Sequence, residues 1–147
     1  LYLAATLDLY SRRIVGWAMS DRMTDDLTLS ALSMAVQQRL PGKGLIHHYD
    51  RGSQYTSDDF RDELETHKIQ CSMSGSGNCY DNAVVESFFG SLKSERVHWR
   101  RYQTREEARS DIVQYITMFY NSHRLHSYLG YRSPDEFERN GHLANAA

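Results

Sequence analysis

Cysteine is scarce in this chain: Cys71 and Cys79 are the only two, with no Cys-x-x-Cys and no His-x-x-x-His beside them. A disulfide scaffold and a structural zinc site are thereby set aside, and the pair reads as reduced thiols. Long apolar runs are missing too. None approaches the ~20 residues that span a bilayer and no secretory signal opens the sequence, so the expectation is a cytoplasmic protein. No methionine stands at position 1, which fits a piece of a longer chain. Nor is there a basic surplus. The net charge is −2, and by count alone that speaks against nucleic acid, whose phosphates are met by Lys and Arg. What is present is an ordinary globular composition: 147 residues, 40% hydrophobic and 24% charged, enough for one core and too apolar for wholesale disorder.

Tyr2 to Asp8 reads as a mostly buried strand, Tyr10-Ser11-Arg12-Arg13 as a turn, and Ile14 to Met19 as the returning strand. Thr24-Asp25-Asp26 starts a helix, its acids placed where the helix dipole favours them. Leu27, Ala31, Leu32, Ala35 and Val36 share one face of that helix, which stops before Pro41-Gly42. Leu45 to Tyr49 is the next strand, Ser57-Asp58-Asp59 caps a helix with Phe60 and Leu64 inward, and Ile69 to Ser72 is a short strand. Met73 to Tyr80, with Gly75 and Gly77, makes a connector suited to a mobile flap. Asp81 is the expected N-cap of a further helix with Val84, Val85, Phe88, Phe89 and Leu92 as its buried stripe. Thr104-Arg105-Glu106-Glu107 is a capping box opening a last long helix, with Ala108, Ile112, Ile116 and Phe119 inward and Tyr115 and Tyr120 flanking them. Alternation of strands and helices in this order is that of an α/β layer protein.

Two acids stand out. Asp50 closes the apolar run Gly44-Leu45-Ile46-His47-His48-Tyr49, so it sits at a strand's carboxyl end; Glu86 lies on the helix that follows the last strand. Carboxylates so placed can converge on a divalent cation, and oxygen ligands suit Mg²⁺ or Mn²⁺ and phosphodiester chemistry. Adjacent strand residues face opposite ways, so His47 and His48 do not both join Asp50 on one ion. On the helical wheel Glu86 falls at the border of the buried stripe, with Asn82 and Lys93 on the same side.

Ile46-His47-His48-Tyr49-Asp50-Arg51-Gly52-Ser53-Gln54-Tyr55 and Gly77-Asn78-Cys79-Tyr80-Asp81-Asn82-Ala83-Val84-Val85-Glu86-Ser87-Phe88-Phe89 resemble the integrase core of bacterial insertion-sequence transposases. These are DDE recombinases related to retroviral integrases. The opening Leu7-Asp8-Leu9-Tyr10-Ser11-Arg12-Arg13-Ile14-Val15-Gly16-Trp17 is similar to the family's second and third strands, and the run from Tyr120-Asn121 to Ser133-Pro134 to its C-terminal signature. The resemblance implies a ribonuclease-H-like three-layer α/β fold, here lacking its first strand and carrying an extra C-terminal helix. Residues 1–122 form the core and 123–147 its tail. It implies Asp50 and Glu86 as catalytic carboxylates and ligands of a two-metal Mg²⁺ or Mn²⁺ site, DNA as partner, and a homo-oligomer as the active assembly. The family's first Asp would precede Leu1, so the chain by itself is expected to be inactive or nearly so. Its uncovered sheet edge would leave it marginally stable. Asp8 reads as a turn carboxylate and takes no catalytic role. Two departures from the family pattern are Gly75-Ser76, where a basic residue is usual, and Tyr49, where a small Ser is usual.

Lys93 stands where related integrases carry a DNA-contacting Lys, two turns beyond the catalytic Glu. With Asn82 it is assigned to DNA, together with Arg96, Arg100 and Arg101 from the basic stretch Lys93 to Arg109, which is interleaved with His98, Trp99 and Tyr102. His123, Arg124 and His126 lie in a tail too polar for core, open to DNA or to a neighbouring protomer. Two other functions stay open on the sequence: a ribonuclease-H-like nuclease that hydrolyses without joining ends, and a non-catalytic DNA-binding or oligomerising remnant.

Overall fold

The computed structural model describes residues 1–39, 46–49, 58–73 and 80–146. Its elements follow the expected order: β1 (Tyr2–Leu7), β2 (Ile14–Ser20), α1 (Asp25–Arg39), β3 (Ile46–Tyr49), α2 (Asp58–Thr66), β4 (Gln70–Met73) and α3 (Tyr80–Glu95). After a short 3₁₀ turn, Val97–Trp99, come α4 (Arg105–Gln114), a π-helical continuation Tyr115–Tyr120, a second 3₁₀ turn Ser127–Leu129, and α5 (Pro134–Ala146). The chain divides into two compact units: Leu1–Thr6 with Val15–Glu86, and Leu7–Ile14 with Ser87–Ala147.

In the first unit β1 pairs with β2, and β3 lies parallel to β4 with Ile46 opposite Gln70 and Tyr49 opposite Met73. A parallel pair needs a crossover, and α2 supplies it. All five apolar residues assigned to the inner face of α1 are buried. Leu32 and Val36 of α1 pack with Phe60 and Leu64 of α2 and with Ile69, while Leu27 and Ala31 pack with Ala4 of β1. The approach of α1 to β2 is close enough to exclude a side chain at Gly16: a methyl there would collide with the Ala31 carbonyl and stand 2.9 Å from the Ala35 nitrogen. β1 is less buried than its sequence suggests. Ala4 is its one buried residue, and it packs against Leu27 and Ala31 of α1.

Helix α2 ends in a Schellman motif. Lys68 takes the left-handed conformation (φ 56°), its N–H donates to the Glu65 carbonyl at 3.0 Å, and the Ile69 N–H donates to the Leu64 carbonyl at 2.8 Å. Leu64 and Ile69, the two apolar residues this motif brings together, are both core.

In the second unit the buried apolar side chains include Ile14, Phe88, Leu92, Ile112, Tyr115, Ile116, Tyr120 and Leu129. Phe88 meets Tyr120 edge-on at 5.0 Å between ring centroids, and Tyr120 meets His126 in the same way at 5.0 Å. The capping box of α4 forms, with one shift. The Glu107 N–H donates to Thr104 Oγ1 at 3.1 Å, while the Glu107 carboxylate reaches back to the N–H of Gln103, one residue further out than the usual partner. Asp81 is the second residue of α3 rather than its cap, since the helix opens at Tyr80. α5 went unread in the sequence although Ser133-Pro134-Asp135-Glu136 carries a start signal; Ser133 Oγ accepts from the Glu136 N–H at 3.2 Å, and Pro134 takes the first helical position.

Candidate functional site

Asp50 lies outside the described residues, directly after β3, whose final residue Tyr49 is in register with Met73 at the end of β4. Glu86 lies on α3 and is exposed. It makes no hydrogen bond or ion pair with any described residue, so its carboxylate is available to a ligand from outside. Asn82 sits on α3 one turn before it and Lys93 two turns after it, the latter exposed. The stripe read from the sequence is graded: Phe88 and Leu92 are fully buried, Val84, Val85 and Phe89 half-buried. Among the described residues no three His, Cys, Asp or Glu side chains group closely enough to hold a metal. The donor chemistry at Glu86, an unpaired exposed carboxylate, nonetheless fits a hard oxygen-seeking cation such as Mg²⁺.

The basic stretch is partly consumed within the protein. Arg96 and Arg100 both donate to Asp111 Oδ1, at 2.8 and 3.0 Å, and the Tyr102 hydroxyl donates to Oδ2 at 2.6 Å. Asp111 is only 7% exposed. Burial alone would raise its pKa, but the Tyr102 and Arg96 hydrogen bonds and the charges of Arg100 and Arg96 outweigh it, and the carboxyl titrates below its ordinary value. Burial and the same carboxylate push the Tyr102 phenol up to about 12. Arg101 stays exposed and, like Lys93, pairs with no described residue. Asp8 serves the hairpin turn, as expected: its Oδ1 accepts the N–H groups of Tyr10 and Ser11 at 2.8 and 3.3 Å.

A second network ties the tail down. Arg124 donates to both oxygens of Glu95, at 2.9 and 3.0 Å, and the Tyr115 hydroxyl donates to Glu95 at 2.7 Å. Burial opposes ionisation of Glu95, yet the bonds from Arg124 and Tyr115 prevail and its pKa is lowered. Asn121 is buried and clasps the start of β2, its Oδ1 accepting from the Ile14 N–H at 2.8 Å and its Nδ2 donating to the Ile14 carbonyl at 3.0 Å. The Asn121 carbonyl then accepts from the Asp135 N–H at 2.9 Å, Arg13 pairs with Asp135 at 2.8 Å, and Ser11 donates to Glu138 at 2.6 Å. The tail, read as too polar for core, is held to the rest of its unit by these bonds. Asn121 and Ser133 are buried because backbone groups satisfy them, and His126 is half-buried with no partner for Nε2 among the described residues. Burial, then the charges of Arg124 and Arg12, hold that imidazole neutral with its pKa lowered to about 4. Of the three polar tail residues, only His123 is exposed.

Sequence reasoning missed Asp111, Glu95 and Asn121. A polar residue within an apolar helical stripe was the signal in each case, but their partners are 9 to 107 residues away along the chain.

An integrase core domain model matches residues 1–79 and a second model of the same description matches residues 86–141. The first takes in Asp50; the second begins at Glu86. The chain belongs to the integrase core domain family. It is 50% identical over 142 residues to an uncharacterized 31 kDa protein of insertion element IS600 from Shigella sonnei, covering 97% of this chain and 52% of that protein. It is 48% identical to the transposase InsF of insertion sequence IS3A from Escherichia coli K12 (94% and 48% covered) and 47% identical to the transposase of IS904 from Lactococcus lactis (95% and 55%). The chain thus spans about half the length of the curated relatives it matches. Among solved structures it resembles the simian T-cell lymphotropic virus intasome bound to a PP2A regulatory subunit, with a TM-score of 0.71 at 17% identity over 92% of this chain and 47% of that one. It also resembles the HTLV-2 integrase catalytic core in complex with magnesium, with a TM-score of 0.63 at 17% identity over 89% and 80%. At that identity the likeness establishes the fold: the ribonuclease-H-like architecture of the integrase core.

Proposed function

We propose that this integrase core is the catalytic part of a DNA transposase, cutting and rejoining phosphodiester bonds with Asp50 and Glu86 as ligands of divalent metal. The observation that carries the reading is Glu86: on the helix where the family pattern places its catalytic acid, it is exposed and unpaired among the described residues, while Asp111 and Glu95 are bound by arginines and tyrosines. Mg²⁺ or Mn²⁺ held by these carboxylates would neutralise the charge that develops on the attacking and leaving oxygens. Asp50 and Glu86 supply two of the carboxylates a two-metal site requires; the family pattern adds a third. In the first step water attacks phosphorus at the element's end and the bond to the 3′-oxygen breaks, leaving a 3′-hydroxyl. In the second step that hydroxyl attacks a target phosphodiester in line. No serine or tyrosine nucleophile takes part, and the protein contributes position and charge.

Lys93 and Arg101, both exposed, hold phosphates in this reading; Asn82 joins them from the first turns of α3. Arg100, half-exposed beside its bond to Asp111, and Arg96 add to the positive field. DNA is the partner, a homo-oligomer the active assembly, and the cytoplasm the place of action. No described helix is long and apolar enough to cross a membrane. The test is a strand-transfer assay on a labelled oligonucleotide with a free 3′-hydroxyl, in Mg²⁺ or Mn²⁺. It should be run on the 147-residue chain and on a form extended through the strand that bears the family's third carboxylate. Joined products that vanish in D50N and E86Q support the reading. Hydrolysis without joining would instead make this a nuclease, and undiminished joining in either variant would overturn the assignment.

A further inference from the structure

The function proposed above leaves one exposed group unused. Trp99 is 81% exposed, the most open of the large apolar side chains among the described residues. A single surface aromatic needs no explanation by itself. This one, however, is held. Its indole N–H donates to the Ser94 carbonyl at 2.7 Å, so the ring has a fixed edge as well as an open surface. The 3₁₀ turn that carries it, Val97–Trp99, is flanked by Arg96 and Arg100, and both flanks are bonded to the same buried oxygen of Asp111. Asp111 thereby clamps both ends of a three-residue turn and presents its last side chain to solvent. Preorganisation of this kind removes the ordering cost that a mobile side chain would bring to a contact.

Charge selects the partner. Between Lys93 and Arg105 the chain places five cations and one carboxylate in a protein of net charge −2; Arg96 and Arg100 are bound to Asp111 and Glu95 to Arg124, so the cations offered to a partner are Lys93 and Arg101. Exposed Arg101 follows Trp99 by two residues, and exposed Lys93 lies on the last turn of α3 beside Ser94, whose carbonyl anchors the indole. A rigid aromatic ring within a cationic segment is the combination that binds single-stranded nucleic acid: bases stack on the ring whatever their sequence, and phosphates meet the cations.

We propose that Trp99 is a stacking platform for an unpaired nucleobase, with Arg101 and Lys93 on the adjoining phosphates, so that this turn takes single-stranded or frayed DNA. The proposal rests on the reading of DNA as partner but not on the metal chemistry. It is tested by tryptophan emission and anisotropy with oligothymidine about ten nucleotides long and with a blunt duplex of equal length, both in EDTA. The expected result is quenching by the single strand, with W99L binding about tenfold more weakly and W99F retaining most of the affinity. R101A should lower affinity and make its salt dependence shallower by about one counterion. Because the side chain is exposed, W99L should melt as the parent does, which circular dichroism checks.

W99L binding oligothymidine as tightly as the parent would overturn the proposal. So would quenching that follows protein concentration rather than oligonucleotide, which would make a second copy of the chain the occupant. D50N and E86Q are expected to bind oligothymidine normally. Loss of strand transfer with quenching intact therefore bears on the catalytic reading alone, and intact transfer without quenching bears on this proposal alone.

Discussion

Glu86 and Asp111 are both carboxylates on helices of the same chain, and the two regions around them treat negative charge in opposite ways. Asp111 is buried, receives two guanidinium groups and a phenol, and titrates below its ordinary range. Glu86 is exposed and unpaired among the described residues. A buried carboxylate with both oxygens bonded is part of the architecture, since removing it strands its partners. An exposed one on a helix edge is free to take a ligand. The contrast separates the acid that shapes this fold from the acid proposed to act, and it reverses what charge counting suggests, because the arginines nearest Asp111 looked like the ligand-binding groups.

The largest effect should fall on the acting side. E86Q and D50N are expected to lower metal-dependent strand transfer about a thousandfold or more, as befits loss of several kcal/mol of charge stabilisation, while the thermal midpoint stays put. A modest drop in rate with a large drop in midpoint would instead make Glu86 structural and erase the contrast. On the other side, D111A should cost about 3 kcal/mol of stability by leaving the half-buried Arg96 and Tyr102 without their acceptor, read as a lowered urea midpoint. Unchanged stability there would show that the cage is ornamental to folding.

Smaller effects sharpen the account of the tail. N121A removes both bonds to Ile14 and should cost about 2 kcal/mol in urea unfolding. His126 gives a pH signature. Its folded pKa, about 4, lies below the ordinary 6.5, so the unfolded chain takes up the proton first. Its contribution is then fully present above pH 6.5 and is lost as pH falls from 6.5 toward 4. Screening at a half-buried site limits that loss to about 1 kcal/mol. H126Q should flatten stability across this window. An equal slope in the variant would place the pH dependence elsewhere; the lowered carboxyls of Glu95 and Asp111 act in more acid solution, where stability falls as they protonate.

Much of the fold was legible because it follows periodicity. The apolar face of α1, the Phe60 and Leu64 pair of α2 and the capping box at Thr104 all rest on contacts that helical spacing or a four-residue motif displays. The candidate site rests on Asp50, Glu86 and the family words around them, and stands as a proposal. Pairing over distance was not legible. Sequence shows five cations near Trp99 but not that Arg96 and Arg100 turn inward to an acid on the next helix. Nor does it show that Asn121 closes on the backbone of a strand 107 residues earlier. The tail looked too polar for core, whereas Asn121 and Ser133 are buried by being satisfied.

The most direct test of the central claim is Mn²⁺ binding to the 147-residue chain, followed by electron paramagnetic resonance of the free ion. D50N, E86Q and D8N should be compared with the parent, since Asp8 is a turn carboxylate whose hydrogen bonds Asn can reproduce. The account predicts that D8N takes up Mn²⁺ like the parent while D50N and E86Q each lose most of the binding. Undiminished binding in E86Q, or a loss in D8N as large as in D50N, would contradict it.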